Sequence, residues 1–465
     1  MPQPVIAIFD VGKTNKKLFL FDEEYEIVFE RSARFAETQD EDGYPCENLE
    51  SLRLSVFDSL MEVFRLREFS IKAINFTSYG ASLVYLDKGG KPLTPLYNYL
   101  KPYPDDLQEQ FYNNWGGAED FAKATASPAL GSLNSGLQLY RLKKEKPELF
   151  QKVHQALHFP QYLSHLISGA YYSDLTSIGC HTGLWNFEKN SYHSWVEKEG
   201  ILEKLAPIAA YDHTVPTCFP GASMLTGIGL HDSSAALIPY LESFHEPFVL
   251  ISTGTWCISL NPFNQQPLTA AELANDCLCY LDYKGRPVKA SRLFAGMEHE
   301  QQVKRIAAHF NQGAARYRSL TFDPALVAKL QQQEALGGEG ATLPEDQGPD
   351  LSIFGKRDLS AFSSSEEAYH QLVLDLVREQ VKSTKLVLKQ SPVKRIFLDG
   401  GFSRNSVFMN LLASFFPHIE VYAASMAQAT AAGTALAIHK SWNTKPKPTD
   451  IIKLKFYSPT QKMVV

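Results

Sequence analysis

Residues 5–22 read VIAIFDVGKTNKKLFLFD. A short apolar strand ends at Asp10, a glycine-containing turn follows, and a second strand begins at Lys17. Residues 248–263, FVLISTGTWCISLNPF, repeat this strand–turn–strand design in the second half of the chain. Each unit alone is typical of an ordinary hairpin. Because the unit recurs without a short period, the sequence favours two duplicated domains over a repeat array.

The rest of the chain alternates helical and strand patterns, which is typical of an α/β protein. Glycine and proline mark the turns between these patterns. The predicted elements are helices over 49–67, most of 104–215 and 366–389, a strand over 72–80, a hairpin over 83–93, a glycine loop opening onto a helix over 227–241, an exposed excursion over 335–365, a strand–turn–helix unit over 394–405 and a β-like segment over 451–457.

The composition excludes several classes of protein. The chain has 465 residues, a formal net charge of −6 and 44% hydrophobic residues, which suits two or three domains with apolar cores and disfavours broad nucleic-acid binding. The start of the chain has no basic leader, and no apolar run is long enough to span a membrane. We therefore expect a cytoplasmic protein. The six irregularly spaced cysteines predict neither structural zinc nor a disulfide framework.

Four turns rich in glycine, serine and threonine are candidates for phosphate binding, because glycine lets backbone N–H groups approach phosphate oxygens closely. None of them is a Walker A loop or a G-x-G-x-x-G fingerprint. Each turn also has a purely structural explanation: Asp10 can begin a turn, Asp232 can cap a helix, and a Gly-Gly pair can serve close packing. The four turns are 10–15, 227–232, 252–256 and 399–405.

Taken in this order along the chain, the four turns resemble the motifs of the FGGY-type carbohydrate kinases. The likeness extends over about residues 5–440. It implies an α/β fold of two duplicated ribonuclease H-like domains with a cleft between them, as in actin, Hsp70 and the sugar kinases. We expect a sugar-binding domain with the first phosphate motif over 1–245, a nucleotide-binding domain over 246–440 and a C-terminal tail over 441–465.

The resemblance also implies roles for individual residues. It makes Asp232 the catalytic base and Asp10 the ligand of Mg²⁺. The residues expected at ATP are Asp10, Gly12, Lys13, Thr14, Asn15, Lys17, Thr253, Gly254, Thr255, Gly296, Gly400, Gly401 and Asn405. The residues expected at the sugar are Tyr79, Gly80, His181, His231 and Asp232. For Tyr79-Gly80 a strand end, and for His181 a structural histidine, are the alternative interpretations.

Three features depart from the family pattern. Lys13 replaces a small residue, Lys17 replaces an arginine, and residues 95–101 lack the Asp…Arg pair that usually contacts the sugar. Lysine still attracts phosphate, but as a point charge rather than a bidentate fork. The identity of the sugar is therefore open at this point.

The pair His231-Asp232, together with the STGTW turn, most resembles the L-rhamnulose and L-fuculose kinase branches. The expected function is ATP-dependent phosphorylation of a ketose hydroxyl, on a 6-deoxyketohexose such as L-rhamnulose or L-fuculose. Two alternatives stay open: a kinase for xylulose or ribulose, and a non-catalytic ATP-binding regulator with a sugar-kinase body. The expected partners are a small sugar and ATP, with no nucleic acid and no membrane; a homodimer stays open.

Overall fold

The computed structural model describes residues 2–13, 15–34, 37–219, 223–335, 353–426, 428–459 and 463. Two predicted features therefore lie outside the described residues: Thr14, and residues 336–352 of the predicted excursion. Among the described helices, none combines the length and the apolar character needed to cross a membrane.

The first half of the chain is built on a seven-stranded mixed sheet with helices on its faces. Its strands, with six smaller ones outside the main sheet, are β1 (Gln3–Val11), β2 (Lys16–Phe21), β3 (Ile27–Ala33), β4 (Thr38–Gln39), β5 (Pro45–Cys46), β6 (Phe69–Ser78), β7 (Leu83–Leu86), β8 (Gln155–His158), β9 (Trp185–Asn186), β10 (Ser191–Tyr192), β11 (Thr214–Pro216), β12 (Leu225–Gly227) and β13 (Leu230–His231). Its helices are α1 (Leu49–Phe64), α2 (Asp105–Asn114), α3 (Ala118–Thr125), α4 (Ser135–Glu145), α5 (Pro147–Lys152), α6 (Phe159–Ser168), α7 (Leu175–Ile178), α8 (Ser194–Lys198) and α9 (Asp232–Ser243).

The second half is built on another seven-stranded sheet. Its strands are β14 (Phe248–Thr253), β15 (Cys257–Asn261), β16 (Cys277–Leu281), β17 (Pro287–Leu293), β18 (Arg395–Gly400), β19 (Glu420–Ser425) and β20 (Lys453–Tyr457). Its helices are α10 (Ala270–Ala274), α11 (Ala295–His309), α12 (Pro324–Ala335), α13 (Ser365–Leu388), α14 (Ser406–Phe415) and α15 (Ala429–Ala437).

The two sheets share one topology. In the first, the strand order is β3-β2-β1-β6-β12, in which β1 to β3 form an antiparallel meander and β6 and β12 run parallel to β1. In the second, the order β17-β15-β14-β18-β19 repeats that pattern. An antiparallel strand then pairs with the last parallel strand in each sheet, β11 in one and β20 in the other. This correspondence confirms the predicted duplicated α/β fold.

Helices α9 and α15 pack against each other between the two sheets. Their close approach depends on small residues, because a Cβ at Gly433 would lie 1.9 Å from the carbonyl oxygen of Ala235. Although α15 lies between β19 and β20 of the second sheet in sequence, its alanines pack on the first sheet beside Ile6 and Ile8. The pair of helices therefore joins the two halves at the place where both phosphate turns lie.

Three sequence predictions need correction. In the predicted hairpin over 83–93, the turn forms, but the main partner of β7 is β8. The second arm contributes a bridge from Pro92 to Leu86 and a hydrogen bond from the Leu93 N–H to the carbonyl oxygen of Tyr85 at 2.8 Å. Proline lacks the N–H that a longer ladder would need. In the predicted exposed excursion, Phe354 is fully buried in the second core. The segment assigned to the C-terminal tail supplies β20, which extends the second sheet.

Candidate active site

An open cleft of about 1160 Å³ lies at the carboxyl ends of the parallel strands in the second half. In open α/β sheets this is the edge where ligands usually bind. Its floor is formed by the turns after β14 and β18 and by the start of α11. The predicted nucleotide residues that line it include Thr253, Gly254, Gly296, Gly400, Gly401 and Asn405.

The glycines of this cleft interlock. A Cβ at Gly296 would lie 1.8 Å from the carbonyl oxygen of Gly254, and one at Gly400 would lie 2.0 Å from that of Thr253. Gly400 also has a φ of +91°, in a region that other residues rarely adopt. Any side chain at Gly296 or Gly400 would therefore push the turns apart, so glycine is required here for packing as well as for access to a ligand.

Hydrogen bonds hold these turns to one another. Thr253 Oγ1 donates to the carbonyl oxygen of Asp399 at 2.5 Å and accepts from the Phe402 N–H at 3.1 Å. The Met297 N–H donates to the carbonyl oxygen of Thr255 at 3.2 Å. The hydroxyl of Thr253 thus joins two turns that are far apart in sequence, and the cleft is preorganised rather than loose.

Asn405 has a structural role in the cleft wall. Its Oδ1 accepts from the N–H groups of Val407 and Phe408 and so caps α14. Its Nδ2 donates to the hydroxyl of Tyr369 at 2.8 Å. His299 Nε2 lies 3.1 Å from that same hydroxyl, and burial lowers the pKa of His299 to about 4. A neutral His299 can accept a hydrogen bond from the Tyr369 hydroxyl, which completes the network of Asn405, Tyr369 and His299.

The first phosphate turn places Asp10 at the end of β1, opposite Lys17 on β2. Burial and, to a smaller extent, the nearby Asp232 carboxylate raise the pKa of Asp10 to about 7, although Lys17 opposes both effects. Gly12 closes the turn by donating its N–H to the carbonyl oxygen of Asn15 at 3.0 Å. Asp10 and Asp232, which come from distant parts of the sequence, therefore face each other at this site.

Three lysines follow or lie within this turn, and each is paired with a glutamate. Lys17 Nζ lies 2.9 Å from Glu30, and Lys13 Nζ lies 2.8 Å from Glu37. Asn15, also predicted at ATP, accepts from the Arg34 Nε at 3.1 Å. The turn is therefore rich in charge, in contrast to the neutral turn 253–255 of the second half.

Lys16 was not among the predicted residues, yet it is the most buried of these lysines. Its Nζ lies 3.1 Å from the carboxylate of the buried Glu47. Glu47 also accepts from the Tyr79 hydroxyl at 3.3 Å and lies 3.7 Å from Lys13 Nζ. Glu47 thus connects the phosphate turn to Tyr79, one of the residues predicted to line the sugar pocket.

Asp232 is the first residue of α9, directly after the short strand β13. The cap position is occupied by His231, so the alternative in which Asp232 serves only as a helix cap does not describe its geometry. Its side chain is 32% exposed, so a substrate can reach it. Oδ1 accepts from the Ser233 N–H at 2.6 Å and lies 3.2 Å from His231 Nε2.

The turn before Asp232 is fixed from the first sheet by Asn75, a buried amide on β6. Its Oδ1 accepts from the Gly229 N–H at 3.2 Å, and its Nδ2 donates to the carbonyl oxygen of Thr434 in α15 at 3.0 Å. That carbonyl belongs to the last turn of α15, where intrahelical partners run out. The Asn75 side chain therefore connects two segments. One is the turn that positions Asp232, and the other is α15, whose first residues line the cleft.

The predicted sugar residues lie close together on the first-half side. A Cβ at Gly80 would lie 3.2 Å from the His231 ring and 2.9 Å from Cys180 Sγ. The Nδ1–H of His181 donates to the carbonyl oxygen of Leu133 at 2.9 Å, and burial lowers the pKa of His181 to about 3. His181 and His231 are 6.1 and 5.7 Å, centroid to centroid, from the ring of Tyr280 in the second half. The structure thus brings together residues from both halves beside Asp232.

Both halves of the chain match known families. The FGGY family of carbohydrate kinases, N-terminal domain, matches residues 5–234, and the carbohydrate kinase FGGY, C-terminal domain, matches residues 245–447. The chain belongs to the FGGY family of carbohydrate kinases. Members of this family are phosphotransferases that use ATP. Membership confirms the resemblance inferred from the four turns.

Individual relatives are distant. L-fuculokinase of Escherichia coli (strain K12) is 22% identical over 268 residues, which cover 55% of this chain and 56% of that protein. The match thus spans little more than half the length of that relative. Rhamnulokinase of Bacillus subtilis (strain 168) is 21% identical over 465 residues, which cover 93% of this chain and 89% of that protein.

Solved structures resemble this FGGY chain over nearly its whole length. A carbohydrate kinase from Novosphingobium aromaticivorans has a TM-score of 0.79 at 23% identity and covers 99% of this chain and 95% of its own. A xylulose kinase from Lactobacillus acidophilus has a TM-score of 0.77 at 16% identity and covers 98% of this chain and 94% of its own. At these identities the likeness shows the two-domain fold.

Proposed function

We propose that this FGGY kinase transfers the terminal phosphoryl group of ATP to a ketose hydroxyl, with Asp232 as the general base. The observation that carries the proposal is the position of Asp232. Its accessible carboxylate begins α9 between the sugar-side residues and the first phosphate turn, and it is close enough to raise the pKa of Asp10. A general base must lie within hydrogen-bond reach of the proton that it removes.

The reaction needs position and charge more than covalent chemistry. The sugar hydroxyl oxygen forms a bond to the terminal phosphorus, and the bond from that phosphorus to the bridging oxygen of ADP breaks. Asp232 takes the hydroxyl proton. His231, 3.2 Å from Asp232 Oδ1, is buried and so has a lowered pKa. As a neutral ring that also contacts Cys180 Sγ at 3.2 Å, it holds the Asp232 side chain in place.

The ATP phosphates lie, in this proposal, between the two halves. The neutral turn 253–255 and the Gly400-Gly401 pair offer backbone N–H groups from the second half, while Lys13 and Lys17 offer charge from the first. Gly296 and Asn405 border the adenosine in the cleft. The interlocked floor of that cleft helps to exclude water, which would otherwise accept the phosphoryl group in place of the sugar.

The donor set fits Mg²⁺. Among the described residues, no group of three or more acidic, histidine or cysteine side chains could hold a metal on its own. Mg²⁺ in kinases is typically bound by one or two carboxylates and the substrate phosphates, so Asp10 with the neighbouring Asp232 is a sufficient protein contribution. The ion would neutralise phosphate charge there, and its charge would favour the ionised form of Asp10, whose pKa burial raises.

For the sugar, we propose a 6-deoxyketohexose such as L-rhamnulose or L-fuculose. The support is the His231-Asp232 pair, together with distant relatives that are an L-fuculokinase and rhamnulokinases. One similar solved structure is a xylulose kinase, which favours xylulose as the second candidate. Residues 95–101 keep their own contacts: Lys101 pairs with Asp40 at 2.6 Å, so this loop is fixed differently from the family's Asp…Arg pair.

The test is a coupled ADP-release assay with L-rhamnulose, L-fuculose, D-xylulose and L-ribulose, each with and without Mg²⁺. We expect one ketose to stimulate ADP release and to yield a phosphorylated sugar by mass spectrometry. A protein that binds ATP yet phosphorylates none of the four would overturn the proposal in favour of a non-catalytic regulator. Activity with D-xylulose alone would keep the kinase and replace the 6-deoxy sugar.

A further inference from the structure

Two exposed aromatic side chains lie beside the second phosphate turn. Trp256 ends the turn and Phe294 precedes α11, and their ring centroids are 4.5 Å apart. They are 39% and 43% exposed, which is unusual for neighbouring large apolar rings. Leaving such a pair in water costs free energy that a bound apolar surface would recover.

The pair rests on a fixed charged group. The Arg292 guanidinium lies 5.5 Å from the Trp256 ring centroid. The side chain of Arg292 is 8% exposed and donates to both carboxylate oxygens of Asp276, at 2.6 Å from Nη2 and 3.1 Å from Nε. Asp276 itself has a φ of +55°, a conformation that surrounding contacts must maintain. Trp256 is therefore exposed and yet held, which lowers the entropic cost of binding a ligand.

The pair lies outside the lining of the nucleotide cleft. Gly254 and Gly296, its sequence neighbours, line that cleft, whereas Trp256 and Phe294 do not. Arg292 belongs to β17, which pairs with β16, the strand that carries Tyr280. The Tyr280 ring lies 6.1 and 5.7 Å from those of His181 and His231, centroid to centroid. The rings therefore lie on the side of the turn where the sugar residues gather.

We propose that Trp256 and Phe294 form an aromatic platform that stacks on the apolar C–H face of the acceptor sugar. The inference rests on the proposed function, because it takes the acceptor to be a sugar. The platform supplies the second-half wall of the acceptor site, while Asp232 supplies the base from the first half. The ligand class is a neutral ketose with C–H groups gathered on one face, as a deoxy sugar has.

Tryptophan fluorescence tests the contact without any need for turnover. Trp185, Trp195 and Trp442 are buried, and Trp115 lies on the end of α2 beside Lys198. We expect a ketose titrated in the presence of ADP to change the emission of the native protein and of Trp115→Phe, and to leave Trp256→Phe unchanged. An undiminished change in Trp256→Phe would overturn the platform.

Kinetics with the phosphorylated ketose give the second test. Trp256→Ala is expected to raise the KM for the sugar roughly 2- to 12-fold, the range for an aromatic contact, and to leave the KM for ATP within about twofold. Trp115→Ala is the matched control. A rise in the KM for ATP instead would place the rings at the nucleotide and overturn the proposal.

The two tests separate this inference from the proposed function. A sugar-dependent change in emission that is lost in Trp256→Phe, without any phosphorylation of the sugar, would support the aromatic platform and refute the proposed kinase activity. If Trp256→Ala phosphorylates the sugar with the native KM for that sugar, the kinase activity would be supported and the aromatic platform refuted. No emission change and no phosphorylation with any of L-rhamnulose, L-fuculose, D-xylulose and L-ribulose would refute both.

Discussion

The two phosphate turns occupy equivalent places in two equivalent sheets, and they differ in what they carry. The turn after β1 has Asp10 and three lysines within a few residues, each lysine paired with a glutamate. The turn after β14 has no charged side chain between Thr253 and Trp256; instead its backbone interlocks with Gly296 and Gly400. The first turn supplies charge and the second supplies shape.

This division follows from what phosphoryl transfer needs. Charge must be neutralised near the transferred group, and the remainder of the nucleotide must be held in a fixed position. A duplicated fold offers two turns at facing strand ends, so each copy can serve one need. The helices α9 and α15 cross between the sheets and keep the two copies in register with each other.

If the first half supplies the reacting charge, the largest effect is expected at Asp232. Asp232→Asn should lower kcat by roughly 10²- to 10⁴-fold, because the amide cannot accept the hydroxyl proton, while the affinity for ADP stays near native. The measurement is steady-state turnover together with calorimetric ADP binding. Asp58→Asn, on the exposed face of α1, is the control. If Asp232→Asn turned over at close to the native rate, Asp232 would not be the general base.

The next effect tests whether the halves are joined through Asn75. Asn75→Leu keeps the branching of the side chain but removes the bonds to Gly229 and Thr434. The Asp232 carboxylate should then be less well positioned, and kcat should fall roughly 10- to 10²-fold. Asn261→Leu is the matched control, because Asn261 is an equally buried strand amide that bonds to Val387 instead.

Stability and catalysis separate in this comparison. Both leucine variants should lower the free energy of unfolding, since each leaves backbone groups without a partner. Only Asn75→Leu should lower kcat per folded molecule, at unchanged KM for ATP. If both variants lose stability and neither loses kcat, Asn75 serves packing alone and the halves are not joined through it.

The shape of the second turn gives a third test. Gly296→Ala should destabilise the protein by roughly 1–3 kcal/mol through overpacking and weaken ADP binding, because its Cβ would meet the backbone of Gly254. Gly401→Ala lies in the same cleft but its Cβ would meet nothing within 4 Å, so it should change little. Urea unfolding with and without ADP measures both. Equal effects in the two variants would mean that interlocking is not the reason for glycine.

Much of this arrangement could be predicted from the sequence. Asp10, Gly254 and Gly400 stand in turns whose glycines and position after apolar strands mark them locally. The alternation of β2 also carried a usable signal: Lys16 lies on the same face as Leu18 and Leu20, which pack into the core against α1, so a buried partner was to be expected. Glu47 is that partner.

The residues that were missed depend on contacts between distant segments. Asn75 looks like any polar residue in a strand until Gly229 and Thr434, which are far away in sequence, are placed beside it. The pairing of β7 with β8 was hidden for the same reason, because the Gly-Gly turn at 89–90 offered a nearer partner. Local patterns mark turns; they do not show which segment the fold brings against them.

The smallest expected effect is at Lys13, where the charge of the first turn is partly exposed and already shared with Glu37 and Glu47. Lys13→Met should raise the KM for ATP by only about 2- to 5-fold, because a screened surface charge contributes about 1 kcal/mol or less. The native KM for ATP should also rise with salt, and the rise should be shallower in the variant. Lys123→Met, paired with Glu119 on α3, is the control. A variant with unchanged KM and the full salt dependence would show that the first turn attracts the phosphates through Lys17 and its backbone instead.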